Sequence, residues 1–410
     1  PALEERKYRA ALMRLRDARL ILTTDPGQPI DCHPLVREHF AEEATREGHA
    51  RLYEHYKKHA PQLPDTMEEM MPLFYALYHG CQAGRHQAVL DEVYYGRIRR
   101  GDQAYLLRKL GAFGTNLSLL ANFFETPWIQ PVATLSLDYP AWVVSNAGFA
   151  LRAVGRLADA VEPMRAGAEA AVKSVDWKSA ASRYGNLSEL HLTLGSVEEA
   201  VAAARQAVVF ADRSGDGFQR ESKRTALADA LHQSGDLAEA VRLFAEAERL
   251  RVERQPEFPI LSSVPGYCYC DILLGQRQTA AVLHRASQTL EWAKRRRDLL
   301  DIGLDHLSLG RAHPSGSDEA AYHLNQAVDF IRRSGQLDDL PRALLARGTP
   351  HDLDEVFRIA TRSGMRLHLA DYHLACGNLA EAERLINETG YHRRDGELEK
   401  LRKRLAESRA

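Results

Sequence analysis

Cysteine is scarce in this chain and does not pair: five residues in 410, at 32, 81, 268, 270 and 376, with no CxxC spacing. An odd, scattered set excludes a disulfide framework and the common zinc modules, and fits a reducing cytoplasm. No Gly-Lys dipeptide occurs anywhere, so a phosphate-cradling GxxxxGK[ST] loop cannot form and the chain alone should not hydrolyse ATP. There is no HExxH zinc helix, no signal-peptide pattern at the N-terminus, and no apolar run of the roughly 18–20 residues that a bilayer span needs. Neither sign of charge dominates: 54 Lys+Arg against 56 Asp+Glu leave a net −2. Nothing therefore draws the chain as a whole toward nucleic acid or an anionic membrane.

What is present is a beat. Gly155, Gly195, Gly235 and Gly275 stand 40 apart, each followed five positions later by an alanine: Ala160, Ala200, Ala240 and Ala280. Seven before each glycine are the small residues Gly148, Ser188, Ala228 and Cys268, and twelve after it Gly167, Ala207, Ala247 and Ser287. A fixed period of this size marks a repeat, in which each unit buries its apolar face only by stacking on its neighbour. Small residues let two antiparallel helices approach, and the glycine falls where the joining turn needs a positive φ. Each unit is predicted to be helix, short turn, helix.

This pattern resembles the tetratricopeptide repeat, in a variant longer than the usual 34 residues. Later units keep it: Gly310 with the loop Pro314-Ser315-Gly316-Ser317 and Ala320, a shortened pair from Leu340 to Gly364 broken at Gly348-Thr349-Pro350, and Gly377 with Ala370 and Ala382. The expected fold class is all-α, a right-handed helical solenoid preceded by a partial winged-helix segment. The expected divisions are a winged-helix remnant over 1–60, a helical connector over 61–135, the solenoid over 136–390 and a polar capping helix over 391–410.

Residues 1 to about 60 stand outside the repeat. A helix is expected to end at Asp17, then a strand at Leu20–Thr24, a turn at Asp25-Pro26-Gly27, a returning strand at Pro29–Cys32, and a helix opened by Pro34. Helix, hairpin, helix is the back half of a winged helix. The string Asp31-Cys32-His33-Pro34-Leu35-Val36-Arg37-Glu38-His39-Phe40 resembles the winged-helix signature of signal-transduction ATPases with numerous domains (STAND), which include the nucleotide-binding oligomerisation (NLR-like) proteins of innate immunity. Proline stands where many members have aspartate. Two further strings, Ala76–His86 and Lys109–Gly114, are similar to the connector of bacterial members that carry tetratricopeptide sensors. The resemblance implies that His33 contacts the β-phosphate of ADP in an intact parent, with ADP and ATP as the parent's cofactors and none in this chain. It also implies a nucleotide-binding domain in cis and oligomerisation on activation. Because the chain opens at Pro1 already inside a charged helical pattern, it is expected to be part of a larger protein.

Other clusters read as structure. His55 with His59, and His79 with Cys81 and His86, supply too few ligands for a metal. Cys268 and Cys270 fall on packing positions. The run Lys294-Arg295-Arg296-Arg297 suits the negative end of a helix dipole.

In tetratricopeptide folds the first helix of each pair lines the concave surface. Nine before the anchors stand Asn146 and Asn186, an asparagine ladder that Ala226 and Gly266 interrupt; six before them stand Phe149, Glu189, Asp229 and Tyr269. With Trp142 these form the candidate groove for a protein or peptide ligand, acidic at its centre and aromatic at its ends, a pattern that suits a basic or amphipathic segment. The competing reading is that the same residues pack the interior of a tightly wound superhelix. Functionally the chain is expected to be the non-enzymatic sensor of a bacterial STAND ATPase, in anti-phage or stress signalling. The alternative is a stand-alone tetratricopeptide scaffold or regulatory adaptor.

Overall fold

The computed structural model describes residues 2–21, 45–136 and 139–407. The hairpin expected after Leu20, and His33 with the string around it, lie almost wholly outside them. Helix α1 (Ala2–Asp17) ends where the sequence suggested. Thr45 caps α2 (Arg46–His59), and Thr66 caps α3 (Met67–Gln82), each hydroxyl accepting a backbone N–H of the first turn. A wide π-type helix, α4 (Val89–Arg99), turns Arg97 inward. Its guanidinium donates to the carbonyls of Lys57, Ala60 and Pro61 at 2.8, 2.9 and 2.8 Å. The first is an orphan acceptor of the last turn of α2 and the other two follow its end, so one buried cation fixes that helix terminus against the connector. Helix α5 (Phe113–Ala121) and a short hairpin, β1 (Phe124–Thr126) and β2 (Gln130–Pro131), lead into the repeats.

Seven antiparallel helix pairs follow. They are α6 (Tyr139–Ala153) with α7 (Leu157–Lys173), α8 (Trp177–Leu194) with α9 (Val197–Ser214), and α10 (Gly217–Ser234) with α11 (Leu237–Arg254). Next come α12 (Ser263–Gly275) with α13 (Thr279–Arg296), and α14 (Leu299–Ala312) with α15 (Asp318–Ser334). The last two are α16 (Leu340–Arg347) with α17 (Pro350–Ser363), and α18 (Arg366–Ala375) with α19 (Leu379–Thr389). Helix α20 (Asp395–Glu407) closes the chain. The fold is an all-α solenoid of tetratricopeptide-like pairs.

The beat explains the first three turns and slips at the fourth. Gly155, Gly195 and Gly235 have φ of 78°, 83° and 94°, and Ala160, Ala200 and Ala240 are fully buried. In each turn the next residue's N–H returns to a carbonyl five back, as Ser196 N to His191 O at 2.8 Å, the six-to-one bond of a Schellman motif. In the fourth unit that bond runs from Gln278 N to Leu273 O at 2.8 Å. The positive φ of 60° belongs to Arg277, not Gly275. Five residues on, Val282 is fully buried while Ala280 is exposed; twelve on, Thr289 is buried while Ser287 is exposed. The true spacing from the third anchor to the fourth is therefore 42 (277 − 235).

The coil closes on itself. A Cβ added to Gly155 would lie 2.7 Å from Ser363 Oγ, and one added to Gly195 would lie 2.7 Å from Arg366 Cβ and 2.9 Å from Thr389 Cγ2. At Gly335 it would lie 2.1 Å from the Gly111 carbonyl oxygen. Leu337 N donates to Ala153 O at 2.7 Å across the same seam. The first pair thus meets the sixth, and the second meets the seventh, about five pairs to a turn. The apolar core crosses the seam too, joining Leu192 and Val197 to Leu367 and Ile386 in one cluster.

Helix α14 runs through the middle and is buried from Leu300 to Gly310. Its Asp305 accepts from Thr289 Oγ1 at 2.6 Å, but Oδ2 has no hydrogen-bond partner among the described residues. Burial, with Asp301 beside it, pushes this carboxyl well up, against the bond from Thr289. A folded-state value above the unfolded one gives stability that is present at acid pH and lost as pH rises. Asp305→Asn should therefore stabilise the fold at pH 7 by about 1–3 kcal/mol, with the gain vanishing below about pH 4. Urea melts of both proteins at the two pH values check this.

Candidate functional site

Closure leaves a cavity of about 510 Å³ inside the coil. One wall comes from α8, α10, α12 and α14; the other comes from α16, α18, the segment after α19, and α20. Leu345, Leu367 and Leu374 give it apolar patches, and most of its charged groups stand in salt bridges, of which Asp271–Arg393 spans the two walls. Asp271 of α12 takes Arg311 at 2.6 Å and, from the other wall, Arg393 at 2.5 Å. Arg393 also donates to Gln233 Oε1 at 3.1 Å. Asp371 takes Arg394 at 2.7 Å and the Tyr391 hydroxyl at 3.2 Å. Burial opposes ionisation of Asp271, but Arg393 and Arg311 win and hold its carboxyl well below the usual range.

Three groups are less committed. The Arg342 guanidinium lies 5.4 Å from the Tyr267 ring centroid and makes a 3.5 Å ion pair with Asp339 at the start of its own helix. Asp229 accepts from Gln233 Nε2 at 2.6 Å, and burial pushes its carboxyl up against the pull of Arg342. His368 has a buried Nδ1 with no partner among the described residues, and burial, then Arg342, bring its imidazole down to about 4. At neutral pH it is an uncharged polar edge.

Of the groove residues read from the sequence, Asp229 lines this cavity. Glu189 lies deeper along the same interior and pairs with Arg152 at 2.5 Å, which also meets Asp338 at 2.9 Å. Burial works against that carboxylate, yet Arg152 and Lys223 keep it below its ordinary range. Trp142 packs edge-on against Tyr94 and Tyr95 of the connector. Asn146 spends its amide on the Trp142 carbonyl at 2.8 Å, Phe149 packs on Phe113, and Asn186 is half-buried on α8. Tyr269 stacks on Phe244 with rings 4.9 Å apart, under Arg285, and does not line the cavity. The interior acids thus face arginines rather than an open acidic groove.

The register slip explains what the sequence reading missed. Six before Arg277 stands Asp271, not Tyr269. The same rule applied to the later turn glycines, Gly348 and Gly377, gives Arg342 and Asp371. One helical position therefore supplies Glu189, Asp229 and Asp271 in the second to fourth pairs, and Arg342 and Asp371 in the sixth and seventh. Arg393 and Arg394 follow no repeat position and carried no signal.

Fold and cavity together define a tetratricopeptide-like superhelix with a charged interior. The family model described as tetratricopeptide repeat matches residues 224–246 and 365–388, which lie in pairs three and seven on opposite cavity walls. No curated protein matches the chain. Among solved structures, it is similar to the crystal structure of a STAND protein with a tetratricopeptide repeat sensor from Pyrococcus horikoshii. The two are 13% identical with a TM-score of 0.43, and the match covers 97% of this chain and 59% of that one. The chain therefore spans about three fifths of that protein's length. No helix among the described residues is long and apolar enough to cross a membrane.

Proposed function

We propose that this chain is the ligand-sensing, autoinhibitory arm of a bacterial NLR-like STAND ATPase that works in the cytoplasm in anti-phage or stress signalling. The observation that carries the sensing half is the cavity whose two walls, from distant parts of the chain, are joined by the Asp271–Arg393 ion pair and the bond from Arg393 to Gln233. A ligand seated there touches both walls at once. The string from Asp31 to Phe40 supports the ATPase half, with His33 as the contact to ADP in the parent. The arm itself performs no catalysis. The ligand is a peptide or loop in extended form, because a cavity of about 510 Å³ is too small for a folded partner. Such a ligand switches the parent only by binding the open, ATP-accepting state better than the closed one.

Nucleotide release tests this. The parent protein, loaded with a fluorescent ADP analogue, should lose it about tenfold faster after His33→Ala, since a charge-assisted contact to phosphate is removed. A reading frame around this chain that encodes no phosphate-binding loop sinks the proposal and leaves the stand-alone scaffold in its place.

A further inference from the structure

We infer that the cavity seats an oxyanion, a carboxylate or a phosphate, with Arg342 as its principal contact; this rests on reading the cavity as the ligand seat. Charge is the first reason. Six Lys and Arg side chains line the cavity against four Asp and Glu, and one of the four, Asp229, sits where burial favours its neutral form.

Donor accounting is the second. A guanidinium offers five N–H groups. Arg311 and Arg393 share the two oxygens of a single aspartate, with one further bond each to Tyr267 and Gln233. Arg342 is the extreme case, with its one 3.5 Å ion pair. Donors on half-buried side chains gain more from a charged acceptor than they would at the open surface.

Shape is the third. The volume is that of a small-molecule pocket, too small for a folded domain. Lys400, exposed on α20 at the rim, adds a cation where a ligand would enter.

Calorimetric titration of the chain with three probes tests this: pyrophosphate, succinate, and an acetylated tri-glutamate peptide. At least one should saturate, weakening with added salt, and the best of them separates a phosphate ligand from a small carboxylate or an acidic peptide. Arg342→Gln should weaken that probe about tenfold. Lys294→Gln, outside the cavity and paired with Glu291, should leave it unchanged. Should Arg342→Gln fail to fold by circular dichroism, Lys400→Gln at the exposed rim serves instead, with about a threefold loss expected. Saturation by none of the probes, or affinity that survives substitution in the folded variant, overturns the inference. Binding that is intact while nucleotide release from the parent never responds would reject the switch and leave the oxyanion site standing.

Discussion

Gly335→Ala should cost the fold about 2–4 kcal/mol and open the coil. The residue has φ 73°, and its added methyl would sit 2.1 Å from the Gly111 carbonyl oxygen. That neighbour is backbone, and Gly111 is itself pressed against the Arg333 carbonyl, where a Cβ would approach to 2.3 Å. Neither strand of the seam can swing aside as a side chain would. The left-handed conformation alone costs an alanine about 1 kcal/mol; the rest is overpacking at the contact between turns, about 1–3 kcal/mol. Gly215→Ala separates the two effects, because Gly215 has φ 66° with nothing within 4 Å of an added Cβ. It should lose only the conformational part. Urea melts of both variants, with radii of gyration from small-angle scattering, decide the matter. Equal losses with unchanged radii would show that the seam is not tight.

Asp271→Asn should be as severe by a different route. The carboxylate is the meeting point of Arg311, on its own side of the cavity, and Arg393, from the opposite wall. The amide keeps the shape but leaves two guanidiniums without a counter-charge, a loss of about 3–5 kcal/mol at neutral pH. The sign of the pH dependence follows from the depressed carboxyl. Its contribution is complete above the unfolded value of about 3.9 and disappears as pH falls through the lower folded value. Wild type and variant should therefore converge only in strong acid. A double-mutant cycle with Arg393→Gln should return a coupling of at least about 1 kcal/mol. Additive losses would mean that the pair across the walls contributes nothing as a pair.

The pairs themselves were legible because helix packing repeats: Gly155, Gly195, Gly235 and Gly377 mark turns, and the alanines five residues on are buried. The fourth unit misled because Gly275 and Ala280 fit the spacing by coincidence. Any residue can accept αL at some cost, and here Arg277 does, so the marker vanished while the Schellman bond stayed. That two-residue slip placed Tyr269 in the groove and hid Asp271. The seam was illegible for another reason. Contacts such as Gly111 with Gly335 join residues 224 apart (335 − 111), and one crossing per turn leaves no period to read. Arg393 and Arg394 lie after the last pair, on a segment whose place against α12 and α18 only the closure defines.

An open solenoid can gain or lose a unit at small cost, because each one meets only its neighbours. This one cannot. Its turn glycines fit against junctions about five pairs further on, so deleting any internal pair throws every later unit out of phase with the wall that it must meet. The coil in effect counts its own members, and its length is as much a part of the design as any side chain in the cavity.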